Sequence, residues 1–276
     1  MDRPRVPENS PTAFFALTFI LSTPLYVLNS LAFSSVLGSP EIGAVYMALL
    51  TFTPGLAAVL LTVRSCGKEA VKTLLLRVFD FDRIKQKGWY IPVLLLGPLI
   101  FALSVGCMLL LGAPIQSALL PVVALPAVFA FCVLLAAGEE VGWMGYAAEP
   151  LQERNGTLRA ALMLGVIWAA WHVPFFVFLF PDPIACSAQL LTLIGTRILL
   201  FWIFNNTGKS VFAATIYHAA DNTALMLMPT FKSIVPLGPV VQCGLTLFVA
   251  FLVAFLWDSS TMTRFSFGAS AKSGVD

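Results

Sequence analysis

Charge is what this chain has least of. Only 11% of its 276 residues are Asp, Glu, Lys or Arg, and only two are histidine. Set beside 59% hydrophobic residues and a mean hydropathy of +0.89, that scarcity excludes an ordinary water-soluble domain. A net charge of +2 is too small for a nucleic-acid-binding surface. The five cysteines stand singly, with no CxxC pair, which excludes a cysteine-based metal site or a disulfide framework and leaves them as small apolar residues. Internal repeats, low-complexity stretches and linkers are also missing, so residues 1–276 read as a single integral-membrane domain. The first apolar run is longer than a signal-peptide core and has no clear small-residue cleavage site, so it reads as a retained span.

Long apolar runs are what the chain does have. A hydrocarbon core of ~30 Å needs ~20 helical residues per crossing. Eight runs of about that length occur, near 12–34, 41–63, 89–111, 118–147, 158–180, 184–205, 209–229 and 234–257. They predict an all-α polytopic membrane helix bundle of about eight transmembrane helices. Ser10 and Pro11 supply an N-cap and first turn, and Pro181, Asp182 and Pro183 divide the fifth run from the sixth. The fourth is long enough to leave the bilayer. With the N-terminus inside, every Lys and Arg except Lys232 and Arg197 falls on the cytoplasmic side, which predicts both termini there. The loop at 64–88 mixes these cations with Leu74, Leu75, Leu76, Val78 and Phe79, as a helix lying on the anionic inner leaflet would.

An ionisable side chain inside a bilayer costs several kcal/mol unless paired or hydrated, so each one is a functional candidate. Glu139 and Glu140 lie in LLAAGEEVGWMGY, His172 in VIWAAWHVPFF, and His218, Asp221 and Asn222 in FAATIYHAADNTA. Counting ~1.5 Å per residue from the cytoplasmic loops places Glu139 and His218 at similar depths, roughly 13–15 Å in, with His172 somewhat deeper. His218 and Asn222 are four apart and share a helix face. Each residue also has a structural reading. A membrane histidine can simply bond two helices together, a Glu pair near a helix end can reach for the interface, and Gly138, Gly142 and Gly145 can serve close packing. Arg197 reads as a structural counter-ion to a carboxylate. A Glu/His proton-coupled transporter is a rival function, although no paired halves support it.

EEVGWMGY, WAAWHVP and NNTGKSVFAATIYHAADN stand in the order and approximate spacing of motifs in a known family. They resemble those of the CAAX prenyl protease and bacteriocin-processing family of intramembrane proteases. The likeness covers about 135–225 and implies a protease-like core at about 118–229. It implies an intramembrane endopeptidase whose catalytic residues are Glu139, Glu140, His172, His218 and Asn222. Glu139 suits the base that takes a proton from water, with His172 holding that water and Glu140 orienting the others. His218 and the Asn222 amide suit an oxyanion hole. In the alternative, a metalloprotease mechanism, Glu139, His172 and His218 hold Zn²⁺; the metal-free version is favoured because Asn is a poor zinc ligand and a good amide donor. The family commonly has Arg where this chain has Met144. That departure keeps open an inactive peptide-binding or bacteriocin self-immunity protein. Membrane lipid and a peptide or membrane-anchored protein substrate are the expected partners. Short loops and the lack of added domains point to a bacterial plasma membrane.

Overall fold

The computed structural model describes residues 10–33, 40–113, 121–227 and 236–265, and within them the architecture is a helix bundle. The helices are α1 (Pro11–Phe33), α2 (Pro40–Leu50), α3 (Thr53–Cys66), α4 (Lys68–Leu76), α5 (Tyr90–Leu110), α6 (Leu125–Gly142), α7 (Ala148–Asn155), α8 (Thr157–Leu179), α9 (Pro183–Asn206), α10 (Val211–Leu227) and α11 (Leu237–Leu256). Among the described residues, seven segments are long and apolar enough to cross a membrane. The expected seventh crossing is α10, whose 17 described residues run up to a segment outside the description, 228–235. Arg3, Arg5, Lys232 and Lys272, used above to argue orientation, also lie outside the described residues.

Local chemistry explains where the helices begin. Ser10 Oγ accepts the Ala13 N–H at 3.3 Å to open α1, and Asp182 Oδ1 accepts the Ala185 N–H at 2.8 Å to open α9. α8 starts after Gly156, whose φ of +75° favours a residue without Cβ. Its first amides are taken up from the far end of the chain: Thr157 N–H and Leu158 N–H donate to the carbonyls of Ser260 and Ser259.

Two runs differ from the simple spans the pattern predicts. The second is broken into α2 and α3 at Thr51 and Phe52, because Pro54 enters in the first turn of α3 and cannot donate to a continuing helix. The fourth is one long helical path from α6 into α7 through a π-helical turn, Trp143–Ala147, directly after the Glu pair. Such a turn holds an extra residue against i→i+5 bonding and is frequent at functional sites.

Packing then fixes the centre. α8 lies on α9, α9 on α11, and α10 on both α5 and α6, while α3 crosses α6. The α3 and α6 backbones approach so closely that a Cβ at Gly142 would stand 2.5 Å from the Pro54 carbonyl oxygen, and one at Gly55 would stand 2.6 Å from that of Gly138. The glycines thus serve close packing, which carries Glu139 and Glu140 inward toward α8, α9 and α10.

Candidate active site

Four helices meet at the Glu pair. Glu140, fully buried, receives Arg197 Nη1 from α9 at 2.9 Å on Oε2 and 3.2 Å on Oε1. His218 Nδ1 from α10 lies 2.8 Å from Glu140 Oε1. A carboxylate only accepts when paired with a guanidinium, so His218 donates through Nδ1, and Nε2 is turned away from Glu140. Glu139, 4% exposed, accepts the Trp168 indole N–H from α8 at 2.8 Å on Oε2. Each of the two carboxylates is therefore anchored on one side by a different helix, as buried charge requires.

Trp168 binds the group together. Its ring lies 4.0 Å under the Arg197 guanidinium and stands edge-on to His218 at 5.4 Å and to His172 at 4.9 Å. His172 Nδ1 is 2.9 Å from the Trp168 carbonyl oxygen, which can only accept. The proton is therefore on Nδ1, and Nε2 presents a lone pair.

α1 holds the neighbouring residue. Ser22 Oγ accepts the Trp171 indole N–H at 2.7 Å and shares a hydrogen bond with Thr53, while the Tyr26 hydroxyl donates to the Trp171 carbonyl. Trp168 lies in the WAAWHVP motif with His172, whereas Ser22 and Tyr26, which brace Trp171 beside the site, are residues that reading the sequence for ionisable groups passed over. The signal was present: Thr18, Ser22, Tyr26 and Asn29 recur at helical spacing along α1, and three of them are buried.

The structure thus brings Glu139, Glu140 and His218 together, with Arg197 as the counter-ion expected from its position. His172 joins them through Trp168 rather than directly. Asn222 lies one turn beyond His218 on α10, half-buried. Asp221 is aimed elsewhere, at α5, where a Cβ on Gly97 would stand 2.7 Å from its Oδ1. Met144 is fully buried inside the π turn.

Among the described residues, the group whose ligand atoms lie within 4.8 Å of one another is Glu139, Glu140 and His218, not the set with His172 expected for zinc. This donor set suits a divalent ion poorly. Glu140 already spends both oxygens on Arg197 and one of them on His218, and a fixed guanidinium beside an ion would repel it.

Residues 121–224 match the family model described as type II CAAX prenyl endopeptidase Rce1-like. A protein of Methanococcus maripaludis named CAAX prenyl protease 2 is 27% identical over 238 residues, covering 77% of this chain and 83% of that one. The segment that carries all five predicted site residues is thus the part of the chain that is similar to type II CAAX prenyl endopeptidases of the Rce1-like kind.

Proposed function

We propose that the chain is an endopeptidase embedded in the membrane that hydrolyses a peptide bond near the cytoplasmic face with a water activated by Glu139, without a metal. The observation that carries this reading is the division of labour between adjacent carboxylates. Glu140 is neutralised by Arg197 and bonded to His218, whereas Glu139 is held, among the described residues, through Oε2 by an indole. One carboxylate is a fixed support and the other keeps an oxygen for a proton.

In this mechanism Glu139 takes a proton from water as the oxygen bonds to the scissile carbonyl carbon. His172 Nε2 accepts the second water proton as a hydrogen bond and orients the attack. The carbonyl oxygen gains negative charge and is met by the Asn222 amide and by the Nε2–H of an imidazolium His218, whose Nδ1–H stays bonded to Glu140. Glu139 then passes its proton to the amide nitrogen as the carbon–nitrogen bond breaks, and two peptides leave.

An apolar groove of about 450 Å³, lined by Phe52, Gly55, Leu56, Leu75, Leu134 and Val141, flanks the Glu pair's helix. It supports a substrate with an apolar anchor: a lipidated peptide or a membrane-anchored protein. The basic loops support cytoplasmic termini, and the short loops support a bacterial plasma membrane. Residues 118–229 would be the catalytic core of a single domain. A second reading, a peptide-binding or self-immunity protein that does not cleave, is favoured by one feature, the absence of a cation at Met144.

The test is cleavage of a fluorogenic membrane-peptide library by the chain in nanodiscs, comparing wild type with Glu139→Ala and His172→Ala, each with and without chelator. Cleavage by wild type alone, unaffected by chelator, is the expected result. Chelator-sensitive cleavage would replace the metal-free mechanism with a zinc one, and binding without cleavage would establish the second reading.

A further inference from the structure

The surface segment between α4 and α5 carries two charged residues that reach inward. Arg77 opens a 3-10 turn, Arg77–Phe79, directly after α4. Its Nη1 donates to the Gly145 carbonyl at 2.8 Å, inside the π turn and five residues after Glu140. Its Nη2 donates to the Lys209 carbonyl at 3.0 Å, nine residues before His218. The same Nη2 lies 3.0 Å from Glu149 Oε1 on α7, and Glu149 Oε2 receives Lys209 Nζ at 2.9 Å. The guanidinium is mostly buried and stands over the Phe204 ring.

Asp80, three residues on, completes the attachment. Its Oδ1 accepts from Ser210 Oγ at 2.7 Å and from the Phe212 N–H at 3.1 Å, and its Oδ2 faces the Val211 N–H at 3.4 Å. A carboxylate from a distant segment therefore caps α10, where free amides need acceptors and the helix dipole favours negative charge. Arg83 braces this cap, with Nε 3.2 Å from Asp80 Oδ2 and Nη1 3.2 Å from the Gly208 carbonyl.

Arg77 thus joins the helix of Glu139 and Glu140 to the helix of His218 at their shared end. Met144 offers no cation of its own at that place. Arg suits the task because its planar fork addresses two carbonyls and a carboxylate at once, which an ammonium cannot match.

We infer that Arg77 is a positioning residue of the intramembrane site: by holding the Gly145 and Lys209 carbonyls and Glu149, it sets His218 in register with Glu140. This rests on the endopeptidase reading above. Misplacing a catalytic group by about 1 Å can cost about a hundredfold in rate. The loss falls on turnover, since Arg77 touches backbone and Glu149 rather than a bound peptide.

The experiment uses the full chain in nanodiscs with Arg77→Met, Arg77→Lys, Asp80→Asn and, as control, Lys85→Met, an exposed cation of the same segment. Arg77→Met should lower kcat by about tenfold to a hundredfold with KM within about threefold of wild type. Arg77→Lys should recover part of that loss, Asp80→Asn should fall between, and Lys85→Met should match wild type. Hydrogen exchange read on the same samples should show residues 143–149 and 211–217 loosening together in Arg77→Met while 192–204 keep their protection. Unchanged kcat, or exchange rising evenly through the bundle, overturns the inference and leaves the endopeptidase reading intact. If wild type cleaves nothing, the endopeptidase reading falls, and exchange alone decides the clasp: joint loosening of the two segments sustains it, and any other pattern overturns it.

Discussion

The Arg197 guanidinium and the Glu140 carboxylate lie 2.9 Å apart with neither side chain reaching solvent. Arg197 Nε and Nη2 have no hydrogen-bond partner among the described residues, so the pair depends on one nitrogen and on the Trp168 ring. Removing only the cation leaves a buried charge uncompensated, which costs about 3–5 kcal/mol. Arg197→Met should therefore lower the unfolding midpoint in detergent sharply, and adding Glu140→Gln to it should restore part of the loss. A double variant no better than the single one would show that the pair contributes nothing as a pair.

Trp168→Phe keeps an aromatic ring beside Arg197 but removes the one donor to Glu139 among the described residues. A hydrogen bond to a charged group contributes about 1.5–3 kcal/mol, which corresponds to roughly tenfold to a hundredfold in rate if it is lost in the transition state. Peptide cleavage in nanodiscs should fall by that factor in kcat. A change confined to KM would place Trp168 in substrate binding instead.

Gly142→Ala forces a Cβ to 2.5 Å from the Pro54 carbonyl oxygen, where backbone faces backbone and neither side can yield cheaply. Overpacking of this kind costs about 1–3 kcal/mol. Gly106→Ala on α5 meets nothing within 4 Å and should gain about 0.5–1 kcal/mol from reduced chain entropy. Thermal unfolding in one detergent compares the two directly, with shifts of opposite sign expected.

How far the sequence discloses the site depends on the type of signal each residue leaves. Glu139, Glu140 and His218 stand out because charge is rare in apolar runs, and Arg197 does so for the same reason. The π turn leaves no such mark, since nothing in WMGYA distinguishes i→i+5 bonding from i→i+4. Arg77 and Asp80 read as ordinary cations and anions of a membrane-surface loop, because their partners are 68 and 130 residues away and non-local pairing has no periodicity. The break before Pro54 was masked by unbroken hydropathy from 41 to 63.

Outside the membrane, Asp258 holds the turn that caps α8. Burial alone would raise its carboxyl, but hydrogen bonds from Ser260 Oγ, the Arg264 N–H and Thr261 outweigh this and hold it well below the usual carboxylate range. The sign follows from linkage: with the folded value depressed, the stabilisation is present above the unfolded value of about 3.9 and is lost as pH falls through the folded one. Pepsin should leave residues 258–265 intact at pH 4 in wild type and nick them in Asp258→Ala. Equal nicking in both would detach the turn's stability from this carboxylate.

The π turn at Trp143–Ala147 also absorbs a residue. One extra residue in an unbroken α-helix would rotate everything after it by about 100°, whereas the wider i→i+5 turn takes that residue up where it stands. Glu149 therefore keeps the face that meets Arg77 and Lys209. Deleting a single residue within the turn would let an unbroken α-helix form with Glu149 still on that face, so the turn shapes the chain path beside Glu139 and Glu140 and leaves the aim of α7 unchanged.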